Sequence, residues 1–223
     1  IQTNVIDAAF HCGVQKLLFL GSSCVYPKLA SQPIEPDALL TGPLEPTNEW
    51  YAVAKIAGIN LAQALKRQHG FRAISCMPTN LYGPRDNFDL ASSHVLPALM
   101  RKFHEAKVSG SESVTVWGSG SPLREFMHVL DFADACLFLM HHYEGEELIN
   151  VGTGEEVTIR DLALLLKRVI GYAGELEFDR SKPDGTPRKV MNSEQIRALG
   201  WKPKYDLEKG VVETYKWYLE NQA

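Results

Sequence analysis

Short unbroken apolar runs alternate along the chain with stretches whose apolar residues recur every three or four positions, and each pattern predicts its own element. IQTNVIDAAF, the first ten residues, reads as the later part of a helix. QKLLFLGSS at 15–23 is a compact apolar run closed by Gly-Ser-Ser, as suits a buried parallel strand. Residues 25–49 are rich in Pro, Gly and Thr and read as loop. NEWYAVAKIAGINLAQAL then predicts a helix running to about Gly70, and FRAISCMPTNLYGP at 71–84 predicts a strand entering a Pro/Gly loop. Strand, loop, helix, strand is the order of a parallel sheet covered by helices.

Past residue 85 the alternation is less regular, so the chain divides there. SSHVLPALMRKFHEAK (92–107) is helical behind a Ser pair able to cap it, and SVTVWGSGSPLREFMHV (113–129) predicts two short strands around a Gly/Ser turn. LDFADACLFLMHHY is a helix with Asp131 near its start, and EELINVG is a strand. TIRDLALLLKRVIG (158–171) is a helix capped by Thr158 and stopped by Gly171. LEFDRSKPDGTPRK is a strand entering a loop, and DLEKGVVETYKWYLENQ is an amphipathic helix. No internal repeat is present.

Composition narrows the function classes. A net charge of −4 spread over 223 residues gives no basic footprint for nucleic acid. No apolar run approaches the roughly 20 residues that span a bilayer. The four cysteines lack metal-ligand spacing, so no zinc or other metal site and no disulfide framework is expected. Cys12, Cys76 and Cys136 read as reduced thiols in or near the core; Cys24 stays open.

Tyr51 and Lys55 lie four apart and so one helical turn above each other. An ammonium within about 4–6 Å favours the phenolate, and such a tyrosine can exchange a proton with a developing alkoxide. Ser22 and Ser23 follow the first strand, at the carboxyl edge where open α/β sheets bind ligands. A serine hydroxyl there can hydrogen-bond the oxygen that the tyrosine protonates. Strand, Gly-Ser-Ser, long loop and Tyr-x-x-x-Lys helix resemble the layout of the short-chain dehydrogenase/reductases.

LFLGSSCVYP, EPTNEWYAVAKIAG, MPTNLYGPRDNF, SHVLPAL, VWGSGSPLREFMHV, INVGTG and KPDGTPRK together resemble, within the extended branch of that superfamily, the GDP-L-fucose synthase family. The resemblance implies an α/β fold: the C-terminal part of a Rossmann-type parallel sheet domain over 1–85, and a smaller α/β substrate-binding domain over 86–223 with some segments returning to the first sheet. It implies NADPH-dependent epimerisation at C3 and C5 and reduction at C4 of GDP-4-keto-6-deoxy-D-mannose. Ser22, Tyr51 and Lys55 would serve the reduction, and Cys24 with His94 the epimerisation. An unperturbed thiol and imidazole both titrate near working pH, which suits proton shuttles. A C4 epimerase needs no such pair, and a 4,6-dehydratase is expected to carry carboxylates where Ser23 and Cys24 stand.

The same resemblance places NADP(H) against Leu20, Gly21, Ser22, Ser23, Lys55, Pro78, Thr79, Asn80, Leu81 and His94. It places the GDP-sugar against Lys102, Trp117, Arg124 and Asp184. Lys102 stands where some members carry arginine, which keeps the charge but loses the bidentate fork. Trp50 also departs from the family pattern. A cytoplasmic homodimer is implied. No glycine-rich dinucleotide loop occurs, and by comparison with the family roughly the first three βα units are absent. The chain by itself is therefore expected to turn over poorly. Two alternatives stand beside this assignment: another extended nucleotide-sugar epimerase or reductase, and a nucleotide-sugar-binding module without turnover.

Overall fold

The computed structural model describes residues 1–222. In chain order its elements begin with α1 (Gln2–His11), β1 (Leu17–Leu20), α2 (Glu49–His69), β2 (Ala73–Pro78), β3 (Asn80–Tyr82) and α3 (Val95–Ser109). Then come β4 (Ser113–Trp117), β5 (Leu123–Arg124), β6 (Phe126–His128), α4 (Val129–His142), β7 (Ile149–Val151) and β8 (Val157–Thr158). The last are α5 (Ile159–Ile170), β9 (Glu175–Asp179), β10 (Arg188–Lys189), α6 (Glu194–Ala198) and α7 (Leu207–Asn221). They fall into two compact units, the first built from Ile1–Asn80, Asp131–Gly154 and Val190–Pro203, the second from Leu81–Leu130, Glu155–Lys189 and Lys204 onward.

In the first unit β1, β2 and β7 form a parallel sheet in that order. β1 pairs with β2 from Leu17↔Ala73 to Leu20↔Cys76, and β2 continues onto β7 from Cys76↔Ile149 to Pro78↔Val151. The run AISCMP is buried almost throughout, as a strand flanked on both sides requires. α2 turns Ile56, Ile59, Ala62 and Leu65 toward a core shared with Ile6, Phe19, Phe71 and Met77. Its close approach to the sheet needs Gly58, where a Cβ would run into the Phe19 ring. α2 ends at Gly70 in the left-handed region, where an L side chain would be strained. The long loop after β1 is tied down by the buried Tyr26 hydroxyl, which donates to Asn150 Oδ1 at 2.6 Å. Asn150 Nδ2 in turn donates to the Ile34 carbonyl at 3.0 Å. Burial pushes the Tyr26 phenol well above its ordinary pKa.

The second unit packs α3, α5 and α7 around Leu96, Met100, Phe103, Leu162, Leu166, Val211 and Tyr215. β4 pairs in parallel with β9, β5 lies between β10 and β8, and β3 pairs with β6. α5 has the predicted ends: Thr158 Oγ1 accepts from Asp161 N at 2.9 Å, and Gly171 closes the helix at φ 72°.

Three local expectations are corrected. Residues 113–129 make three strands rather than two around a turn, because Gly118 N donates to Asp179 O at 2.9 Å and carries β4 along β9 instead of back on itself. The Ser pair does not cap α3. His94 occupies the N-cap position without a side-chain cap bond, and Ser92 is held by Asp89 Oδ1 at 2.9 Å. Cys12 is exposed rather than in the core, since it follows the last turn of α1 on the solvent side, whereas Cys76 is buried in β2.

Candidate active site

β1 leaves the sheet beside Lys55. The ammonium donates to the Leu20 carbonyl at 2.8 Å and stands 5.8 Å from the Tyr51 ring centroid. The one-turn spacing read from the sequence therefore places both groups over the strand end. Tyr51 is half exposed, and its neighbour Ala52 is fully buried. Gly21 N donates to Cys76 O at 2.8 Å, and the extended Ser22 begins a short 3-10 turn at Ser23–Val25. Ser22 Oγ accepts from Cys24 N at 3.2 Å, which leaves the hydroxyl proton available for another acceptor. Ser23 is buried under the turn. Asn48, which no sequence motif marks, donates its Nδ2 to Cys24 Sγ at 3.3 Å. Its only sequence signal is its place three residues ahead of Tyr51, in the loop that leads into α2.

The other strand end is shaped by Pro78, paired with Val151, and by Thr79, whose N–H donates to Val151 O at 3.1 Å. Asn80 and Leu81 follow, both half-buried. For a dinucleotide, the first unit offers a half-exposed apolar Leu20 and an ammonium that keeps donors to spare after bonding the Leu20 carbonyl. Those groups fit a ribosylated nicotinamide.

In the second unit His94 is exposed at the start of α3, on a loop braced by its own side chains. Asn87 Nδ2 donates to Ser92 Oγ at 3.0 Å, and Asp89 Oδ1 accepts from Ala91 N at 3.0 Å. Burial raises the Asp86 carboxyl, against pulls from the Asn87 amide and the His94 charge. Farther along, Trp117 is 64% exposed, with Lys102 Nζ 5.3 Å and Lys182 Nζ 5.6 Å from its ring centroid. Lys182, the first residue of KPDGTPRK, is a second contact that no spacing in the sequence marks.

Arg124 is partly buried and lowered by desolvation, and it donates to Leu123 O at 2.8 Å. Asp184 takes Ser119 N at 2.6 Å and Ser119 Oγ at 2.8 Å, bonds that hold its carboxyl below the usual range. Gly118, at φ 83°, makes room for this clasp, since a Cβ there would meet the Asp184 carboxylate. The sequence-predicted residues thus divide into two sets. Ser22, Cys24, Tyr51 and Lys55 gather at the end of β1, and Lys102, Trp117, Arg124 and Asp184 belong to the second unit with His94.

A parallel sheet with a Ser…Tyr-x-x-x-Lys end defines a dinucleotide-dependent α/β enzyme, and the chain belongs to the NAD dependent epimerase/dehydratase family, which matches residues 1–152. It is 68% identical over 222 residues to the probable GDP-L-fucose synthase 1 of Oryza sativa subsp. japonica, covering 99% of this chain and 68% of that protein. Among solved structures it resembles the GDP-L-fucose synthetase of Naegleria fowleri bound to NADP, with TM-score 0.93 and 33% identity over 99% of this chain and 71% of the other. A GDP-6-OMe-4-keto-L-xylo-heptose reductase from C. jejuni matches with TM-score 0.94 and 35% identity, covering 100% of this chain and 75% of that one.

Proposed function

We propose that this chain, with NADPH, converts GDP-4-keto-6-deoxy-D-mannose to GDP-L-fucose by inversion at C3 and C5 and reduction at C4. The observation that carries this reading is the placement of a thiol, Cys24, on the same turn as Ser22 and against the segment that presents Tyr51. Reduction alone has no use for that thiol. Inversion beside a ketone needs a base and an acid on opposite faces of the sugar.

Cys24 takes the proton from the carbon flanking the ketone, and His94 is the acid that returns one. Ser22 donates its spare O–H to the C4 oxygen, and Tyr51 gives that oxygen its proton. Lys55 stabilises the negative charge left on the phenol oxygen and binds the nicotinamide ribose. NADPH, when bound, supplies the hydride for C4. Leu20, Gly21, Ser23 and residues 78–81 line its nicotinamide side. Lys102 and Arg124 neutralise the diphosphate, Trp117 offers a flat surface, and Asp184, clasped to Ser119 just past the end of β4, completes the nucleotide-sugar contacts.

Cys24→Ser separates the two chemistries. The wild type is expected to oxidise NADPH, slowly where this chain alone supplies the cofactor site, and to release the L-configured product. The variant is expected to reduce the ketone slowly and leave C3 and C5 uninverted, as read by absorbance and by NMR of the product. Unchanged product stereochemistry in the variant overturns the assignment of Cys24.

Supporting features point to a homodimer in the cytoplasm. Trp50 is 80% and Val53 45% exposed on α2, an apolar face suited to a second copy. An exposed Cys12 thiol suits a reducing compartment. No helix among the described residues is long and apolar enough to cross a membrane. Light scattering is expected to give twice the 24.9 kDa chain mass; a monomer at micromolar concentration contradicts the dimer.

A further inference from the structure

Asn48 occupies the N-cap position of α2, where an asparagine side chain ordinarily accepts a backbone N–H of the first helical turn. It makes no such bond. Its Nδ2 donates to Cys24 Sγ at 3.3 Å, and its Oδ1 is buried without a hydrogen-bond partner. A cap bond has been given up and a buried carbonyl left unmatched, both of which cost stability. The side chain is committed to the sulfur instead.

We propose that Asn48 is a positioning residue for Cys24, fixing the direction of Sγ and favouring its thiolate during proton abstraction. The inference rests on the proposed role of Cys24 as base. In that step the C–H bond beside the ketone breaks, the S–H bond forms, and the electron pair enters the enolate of the C4 carbonyl. A hydrogen bond to the charged sulfur is stronger than one to the neutral thiol, so the amide stabilises the state that accepts the proton. The Cys24 backbone is held separately, by its N–H to Ser22 Oγ. Asn48 therefore acts on the side chain and not on the backbone. Because Asn48 leads directly into the turn that carries Tyr51, the sulfur and the phenol are set by one helix start.

The test is alkylation of Cys24 by iodoacetamide across pH, followed on the Cys24-bearing peptide by mass spectrometry. Wild type, Asn48→Ala and Asn48→Asp are compared, with circular dichroism as the check on folding. Loss of a hydrogen bond to a charged group predicts an alkylation rate at neutral pH about tenfold lower in Asn48→Ala. Asn48→Asp, nearly isosteric but acceptor-only and anionic, is expected to fall further. In both variants deuterium exchange at C3 and C5 of the keto-sugar drops more than C4 reduction does. A wild-type alkylation profile in either folded variant overturns the proposal. Alkylation needs no substrate, so that failure is distinct from a wild-type chain that alkylates as described yet neither exchanges nor reduces the sugar. The latter overturns the functional reading instead.

Discussion

Tyr51→Phe is expected to lower NADPH-dependent reduction of the 4-keto sugar by about 10²–10⁴-fold, the range contributed by a positioned general acid. The change removes one oxygen and keeps the ring. Tyr51 is half exposed on a helix whose grip on the core comes from Ile56, Ile59 and Leu65, so the fold and KM should hardly move. Proton exchange at C3 and C5 should persist, because it depends on Cys24 and His94. Steady-state kinetics together with deuterium incorporation by NMR separate these outcomes. Turnover within a few-fold of wild type means that another group protonates the C4 oxygen.

The largest effect on stability is expected at Lys16, far from the chemistry in role. Its side chain is 7% exposed and its ammonium is spread over the carbonyls of Leu139 at 3.3 Å, Met140 at 2.7 Å and Tyr143 at 2.7 Å, with Glu144 Oε1 at 2.9 Å. Leu139 and Met140 lie in the last turn of α4 and Tyr143 just beyond it, a helix end that attracts a cation, and Leu139 O also accepts from Tyr143 N at 3.0 Å. Lys16→Met preserves the length and apolar stem but takes the charged donor away from the Met140 and Tyr143 oxygens. Lost hydrogen bonds to a charged group predict a cost of about 2–3 kcal/mol, and a fall in Tm of roughly 5–10 °C for a chain of this size.

Glu144 adds a pH signature. Hydrogen bonds from Arg72 and Lys16 lower its carboxyl from 4.5 to about 2. A folded-state pKa below the unfolded one gives stability that is full above the unfolded value and lost as pH falls toward the folded one. The wild type should therefore lose this contribution between pH 4.5 and about 2, and Lys16→Met should lose less there. Thermal melts across that window decide it; a variant as stable as wild type at neutral pH contradicts the account of α4.

Much of the first unit was legible in sequence because its signals are local. QKLLFLGSS carries its own strand and its own stop, and Tyr51 and Lys55 meet through helical geometry alone. α5 was equally plain, with Thr158 and Gly171 marking both ends. What escaped depends on partners distant in sequence. β4 could be read as half of a hairpin because its true neighbour, β9, begins at Glu175. Asn48 carries no motif of its own in the loop before α2, and only the fold brings Cys24 against it. Lys182 reaches Trp117 because the loop after β9 is clasped by Ser119 through Asp184. Neither contact leaves a spacing that a sequence pattern could catch. The Ser pair before α3 misled for a related reason: a nearer acceptor, Asp89, engages Ser92 first.

The most direct test is to run the reaction in D₂O with NADPH and GDP-4-keto-6-deoxy-D-mannose and resolve the product by NMR. The account predicts an L-configured 6-deoxy sugar that carries solvent deuterium at C3 and C5 and the cofactor's protium at C4. A reduced product with the original C3 and C5 configuration and no deuterium there would contradict it, leaving a simple ketone reductase.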